Sequence, residues 1–387
     1  MKKRSAPGLD APPPEPRDGP IASRAPPPGK TTIAKRRLAE RIGANTAPIG
    51  GETAVGSSAS SAAPPMTALS GPMASGPSIG RQEHRGGRPW TVSLALPGSI
   101  VDNAQTHELR SYLVGQVARA LTIFNIDEVV IFTDEEARAQ PIQGSATKER
   151  TEGSVFMARL LQYLECPQYL RKDIFPMHPD LRSVGILAPL DATNHPRRDE
   201  ECPYREGLVS DRPVKGNQGS WVSVGLAKEI LLDKRLPPGT RVTVRVGEKG
   251  RPGVAVSPRE PREKCGLHWG YTVRMATSLA AVWAECPFES GYDLSVGTSD
   301  KGESEWQGRD FELPRFRHLL LFFGGVEGIE PLVAADPDLV ECDADAASLF
   351  DRYLNLCPKQ GSRTIRTEEA LLVGLAALSS YIEDAGS

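Results

Sequence analysis

The sequence predicts an α/β fold built on a buried parallel sheet and split by a β-rich insertion, and three observations carry that reading. Short, wholly apolar runs alternate with helical periodicity, as where EVVIFT at 128–133 follows a helix-spaced stretch at 106–124. From residue 204 to about 274 the texture changes to short β segments between Gly and Pro turns. Helical spacing and apolar strands then return through the C-terminal third.

With 387 residues, the chain has room for two to three domains at roughly 150 residues each and needs no disulfide staples. Its 46 basic and 49 acidic side chains leave a formal net charge of -3, which argues against binding polyanions through bulk charge. Local charge must decide partners instead. Up to residue 87 there are 12 Lys/Arg against 6 Asp/Glu, and beyond it 34 against 43, so the tail is basic and the body acidic. Six cysteines, at 166, 202, 265, 286, 342 and 357, form no C-x-x-C pair and have no histidine at zinc-finger spacing, so we read reduced thiols and no metal. The densest apolar run, 319–323, falls far short of the roughly 20 residues that cross a bilayer. A soluble intracellular protein is expected.

Residues 1–87 hold 14 of the 34 prolines, with Ala/Ser/Gly runs and few aromatics, and read as disordered. The clusters MKKR and AKRRLAER suit RNA phosphates or nuclear import, or simply a solvated tail. PPPGKTT is no P-loop, because Arg24 stands where the first glycine is needed and prolines occupy the upstream strand. Order begins at Trp90. Residues 90–101 read as a strand with a Pro-Gly turn, and 106–124 as a helix with Leu109, Leu113, Val117, Ala120 and Leu121 at helical spacing. A strand at 128–133, a polar loop at 134–152, a helix at 154–171 and a strand near 183–188 follow. The alternation at 241–246 then suggests an inserted OB-like β-barrel. A helix is expected over 275–284, then YDLSVGTSDKG, RHLLLFFGGVEG and a loop leading into a final apolar-faced helix. The expected division is 1–87 tail, 88–203 first part of the α/β domain, 204–274 insertion, and 275–387 its closing part.

Glycines 297, 302, 324, 325, 328 and 361 cluster at strand ends or open a helix, where open α/β sheets bind ligands. Any one of these is an ordinary turn, but three loops in series point to a cofactor pocket. None of these loops fits G-x-G-x-x-G or the nucleophile elbow G-x-S-x-G.

The segments YDLSVGTSDKG, LLLFFGGVEG and CPKQGSRTIRTEEALLVGLAAL resemble the three signature regions of SPOUT-class methyltransferases. RPWTVSLALPGSIVDNAQTHELRSYLVGQVARALTIF, LLQYLECPQYLRKDIFP and YREGLVSDRP narrow the resemblance to the eukaryotic SPOUT-domain family with centromere- and spindle-associated members. It covers about residues 88–385, and the tail matches nothing.

That resemblance implies an α/β trefoil knot, an exception to the rule against threaded chains, and an OB-like insertion. It implies S-adenosylmethionine as methyl donor, a homodimer, and RNA as substrate, with a uridine of large-subunit ribosomal RNA favoured. A nuclear or nucleolar setting goes with this. The alternative is a cofactor-binding scaffold in centromere or spindle organisation. The family pattern places the cofactor against Thr298, Ser299 and Lys301, the turn at Gly324, Gly325 and Gly328, the strand end Asn355-Leu356, and Gly361, Ser362, Thr364 and Ile365. By the same resemblance, close relatives carry Arg where Lys301 sits and Thr where Leu356 sits, so main-chain contacts are what transfers there.

If a ring nitrogen of uridine accepts the methyl, its proton must leave, and Arg363 or Arg366 would stabilise the anion. Glu368, Glu369 or Asp102 would take part in proton transfer. Thr367-Glu368-Glu369 also reads as a capped first helical turn, and Asp102-Asn103 as an Asx turn. Arg241, Arg245 and Arg259 on the insertion, with Arg251 and Arg262, would suit an RNA backbone or are solvated charge. Trp269 and Tyr271 fit the insertion's core better than base stacking. The polar run from His195 to Cys202 is read as a solvated loop.

Overall fold

A computed structural model describes residues 86–134, 152–214, 219–247, 252–308, 311–342 and 345–386. The basic tail clusters and the polar loop expected at 134–152 lie almost wholly outside these residues.

Six strands form one parallel sheet: β1 (Thr91–Pro97), β2 (Glu128–Phe132), β8 (Thr272–Ala276), β9 (Leu294–Glu303), β10 (His318–Phe323) and β11 (Arg352–Leu354). Their order is β11-β9-β10-β1-β2-β8. The central strands are apolar on both faces because both faces are covered. Leu94, Leu96, Val129, Ile131, Leu319 and Leu321 meet the helices α1 (His107–Ile123), α2 (Gly153–Glu165) and α9 (Thr367–Ala385) on one side. Ala95, Val130, Phe132, Leu320 and Phe322 meet α5 (Leu279–Ala284) and α6 (Glu330–Ala335) on the other.

Thr106 caps α1 by accepting from the Leu109 N–H at 3.2 Å. Leu109 itself, at helical spacing in the sequence, faces outward. The helix expected over 154–171 stops at Cys166, because Pro167 drives the residue before it out of the helical region; a single turn, α3 (Arg171–Ile174), resumes beyond. The strand expected near 183–188 is a 3-10 turn, Val184–Ile186.

A second, antiparallel sheet comprises β3 (Tyr204–Val209), β4 (Trp221–Ser223), β5 (Ile230–Leu231), β6 (Arg241–Arg245) and β7 (Val254–Val256), in the order β5-β4-β3-β6-β7. Its two edges meet at a parallel bridge between Leu232 and Gly253, where Gly253 N–H donates to the Leu231 carbonyl at 2.8 Å. The sheet's own core is small, with Val209, Val222, Val224, Leu232 and Val244 at its centre. Polar ties add to it: Arg241 bridges Glu206 within the sheet to Glu165 of α2 at 2.8 and 2.7 Å. Trp269 and Tyr271 are buried as core residues, with Trp269 donating to Glu206 and Tyr271 to the Leu161 carbonyl. Short helices complete the chain: α4 (Glu260–Cys265) after β7, and α7 (Pro337–Glu341) and α8 (Ala346–Leu349) before β11. The helix expected from 275 begins at Leu279, capped by Ser278, because Thr272–Ala276 pairs with β2 as the sheet's edge strand.

Candidate functional site

Three segments at the carboxyl edge enclose a cavity of about 250 Å³: the end of β9, which stays strand through the Gly/Ser/Thr stretch expected as a loop because it pairs with β10 and β11, and the loops after β10 and β11. Thr298, within β9, donates its hydroxyl to the Phe322 carbonyl at 2.9 Å, fastening the end of β9 to β10. In the second loop, Gly324 must be glycine, since a Cβ there would lie 2.4 Å from the Gly328 carbonyl carbon. Gly328 has φ +89°, a left-handed conformation that closes the turn. Asn355 organises the third loop. Its side chain donates to the Asp300 carbonyl at 2.9 Å and accepts from the Cys357 N–H at 3.1 Å, while its own carbonyl accepts from the Trp306 indole at 2.7 Å.

Glu330, on the first turn of α6, ties the end of β9 to β11. Its Oε1 accepts from Ser299 at 2.8 Å and from Tyr353 at 2.9 Å, and Lys301 lies 3.5 Å away. Burial pushes this carboxyl up, but its backbone hydrogen bond, Ser299, Tyr353 and the Lys301 ammonium together hold it below the usual carboxylate range.

Of the residues singled out in the sequence, Thr298, Ser299, Lys301, Gly324, Gly325, Gly328, Asn355, Leu356, Thr364 and Ile365 all line the cavity, as does Arg363. Gly361 and Ser362 sit on the same loop outside the lining. Arg366 and Glu369 also lie outside it: Glu369 accepts from the Arg366 backbone N–H at 3.1 Å, and the Arg366 guanidinium pairs with Glu368 at 2.7 Å. Asp102 pairs with Arg110 at 3.1 Å. Arg241 is committed to Glu165 and Glu206, Arg245 pairs with Glu260 at 3.1 Å, and Arg259 is exposed on a groove of about 1040 Å³ between the two sheets. His195 is folded onto the Glu165 carbonyl. Among the described residues, no group of three or more His, Cys, Asp and Glu is placed to hold a metal ion.

The sequence reading missed Gln360, Asp300 and Cys357, which also line the cavity. It missed Thr367, Ala370 and Val373 too, whose spacing along α9 was a usable signal. Gln360 Oε1 is buried in the wall with no hydrogen-bond partner, and the nearest atom to a Cβ on Gly325 would be Pro97 Cγ at 3.9 Å. The wall thus offers an unsatisfied acceptor and an open glycine face, as a ligand bearing an amino or hydroxyl group requires.

A parallel α/β sheet with a cofactor-sized cavity at its carboxyl edge defines the class of a small-ligand-binding α/β protein. A family model described as a putative RNA methyltransferase matches residues 91–378, and the chain belongs to that family. This agrees with the SPOUT-class resemblance. Proteins named 28S rRNA (uridine-N(3))-methyltransferase from Mus musculus and Homo sapiens are each 52% identical to it, over 314 and 309 residues. Those matches cover 79% and 78% of this chain, and 80% and 81% of theirs. The Drosophila melanogaster protein of the same name is 45% identical over 311 residues, 76% of this chain and 63% of its own.

Proposed function

We propose that the protein methylates a uridine of large-subunit ribosomal RNA at N3, with S-adenosylmethionine as donor bound in the cavity between the end of β9 and the loops after β10 and β11. The observation that carries this is that cavity's wall, made by the end of β9 and the loops after β10 and β11, in a chain half identical over the matched residues to proteins named for that reaction.

The donor, when bound, supplies a methyl group already activated on a sulfonium, so the protein's task is positioning and exclusion of water. Gly325 would let the donor approach main chain closely, and the Gln360 side-chain carbonyl would accept from its amino or hydroxyl groups. Asn355 and Glu330 keep the loops in place. Arg363, exposed on the cavity wall, would stabilise negative charge that develops on the acceptor ring.

Threading of the chain into a knot is supported by how tightly the third segment runs against the first. A Cβ on Gly302 would lie 2.4 Å from the Leu354 carbonyl carbon, and Asn355 N–H donates to the Glu303 carbonyl at 2.9 Å. The strand order of the small sheet, with its parallel closing bridge, supports an OB-like barrel, and Arg259 is the insertion's best placed RNA contact. A homodimer is supported by exposed Leu109, Tyr112 and Ile123 on α1 and Leu372 and Val373 on α9, two helices that pack together. Nothing among the described residues favours the scaffold alternative.

The test is nucleoside mass spectrometry of large-subunit ribosomal RNA from cells with and without the protein, together with transfer by the purified protein. Loss of 3-methyluridine in the deletion and its restoration in vitro is the expected result; an unchanged modification map would refute it.

A further inference from the structure

The carboxyl edge of the sheet carries a second polar cluster, one strand over from the cavity. β1 ends at Pro97, whose ring lies beneath Gly325, and Pro97 stands opposite Phe132 at the end of β2. Two residues beyond each of these, Ser99 donates its hydroxyl to Asp134 Oδ2. Asp134 is 5% exposed, and its other oxygen, Oδ1, is buried with no hydrogen-bond partner. At the same turn the Ser154 hydroxyl, packed on Gly98, is fully buried and also without a partner.

Buried polar atoms without partners are costly, and a ligand that completes the set is one reason a fold retains them at a sheet edge beside a cavity. What is missing beside Oδ1 is a donor. The charged groups nearby are Asp102 and Arg110, which are paired with each other. Burial raises the affinity of the Asp134 carboxyl for a proton, the Ser99 hydrogen bond opposes this, and the field of Asp102 reinforces it.

We propose that Asp134 is a catalytic residue that accepts the N3–H of the acceptor uracil ring, which would lie over Gly325 between this carboxylate and the donor cavity. The inference rests on the N3-methylation reading above. In the step, the Asp134 carboxylate takes the N3 proton. The electron pair left on nitrogen forms the bond to the methyl carbon, and the carbon–sulfur bond breaks with its pair remaining on sulfur. One negative and one positive charge are consumed, leaving a neutral acid, a neutral methylated base and a neutral thioether.

Binding without any donor gives the first readout. A short RNA containing the methylated site is compared with the same RNA carrying 3-methyluridine, which lacks the N3 proton. Wild type should prefer the unmodified RNA by about fivefold or more, the scale of one hydrogen bond to a charged group, and Asp134→Ala should lose the preference. Asp134→Asn should slow single-turnover transfer by roughly 100-fold or more, the usual range for a general base, with affinity for S-adenosylhomocysteine unchanged. Its residual rate should climb with pH through the alkaline range, whereas the wild-type rate levels off.

Near-wild-type transfer by Asp134→Asn, or an RNA preference that survives in Asp134→Ala, overturns the assignment. So does a rate loss that tracks lost S-adenosylhomocysteine binding with the wild-type pH profile retained, since that marks a merely structural role. If wild type methylates no uridine, the functional reading fails first and takes this assignment with it. The two failures are therefore distinguishable.

Discussion

Thr367, the first residue of the final helix, donates its hydroxyl to the Gly324 carbonyl at 3.0 Å. This bond joins the helix start to the glycine turn of the central strand, and Thr367 is buried. Thr367→Val keeps the shape and removes the donor, leaving the half-buried Gly324 carbonyl without this partner. A loss of about 1–2 kcal/mol in urea denaturation is expected, with weaker S-adenosylhomocysteine binding by calorimetry because the turn lines the cavity.

Glu330 holds Ser299 and Lys301 of β9 and Tyr353 of β11 at one carboxylate, so Glu330→Gln should loosen both segments together. Affinity for S-adenosylhomocysteine should fall about tenfold, equivalent to the roughly 1.4 kcal/mol of one charge-assisted hydrogen bond. The pH dependence follows from the lowered pKa of this group. Its stabilising contribution is complete above the ordinary value of 4.5 and is lost as the pH falls through the lower folded value. Stability curves of wild type and Glu330→Gln should therefore converge below pH 4.5 and separate above it.

Arg241 and Arg259 both lie on the inserted sheet's side of the inter-sheet groove, yet their expected roles part. Arg241 neutralises Glu165 and Glu206, both buried, so Arg241→Met should destabilise the protein by about 3 kcal/mol by stranding those carboxylates. Arg259→Ala should leave thermal unfolding unchanged and weaken RNA binding, with a shallower dependence on salt concentration. Equal effects of the two changes on stability would contradict this division.

His268 is buried with neither ring nitrogen paired, and its pKa is pushed down to about 4, by desolvation first, with nearby Asp127 opposing. His195 is likewise lowered to about 4, again chiefly by burial. Both histidines fold neutral, so their contribution is complete above the ordinary value of 6.5 and is lost as the pH falls from there towards 4. Denaturation midpoints should decline across that window, and His268→Phe should flatten part of the decline.

What the sequence made legible was local. Residues 319–323 are apolar in succession because β10 is covered on both faces, and the Gly324-Gly325 turn after it reads as a close approach. The first turn of α9 reads as a cap, and Glu369 does accept from the Arg366 N–H. The edge strand Thr272–Ala276 was not legible, because its half-exposed alternation resembles that of the strands just before it, and only pairing with β2 sets it apart. The break at Cys166 was written in Pro167 and should have been read. Glu330 and Asp134 gave no local signal. Their partners, Ser299 and Ser99, lie 31 and 35 residues away, so only the sheet brings them together.

The most direct test of the account is calorimetric titration of S-adenosylhomocysteine into wild type and Gly325→Val. At Gly325 a new Cβ would meet only ordinary contact with Pro97, so the valine should fill the cavity without disturbing the fold. Saturable 1:1 binding by wild type, its loss in Gly325→Val, and an unchanged Tm for the variant are the predicted results. No binding by wild type, or undiminished binding by the valine variant, would contradict the placement of the donor between these loops.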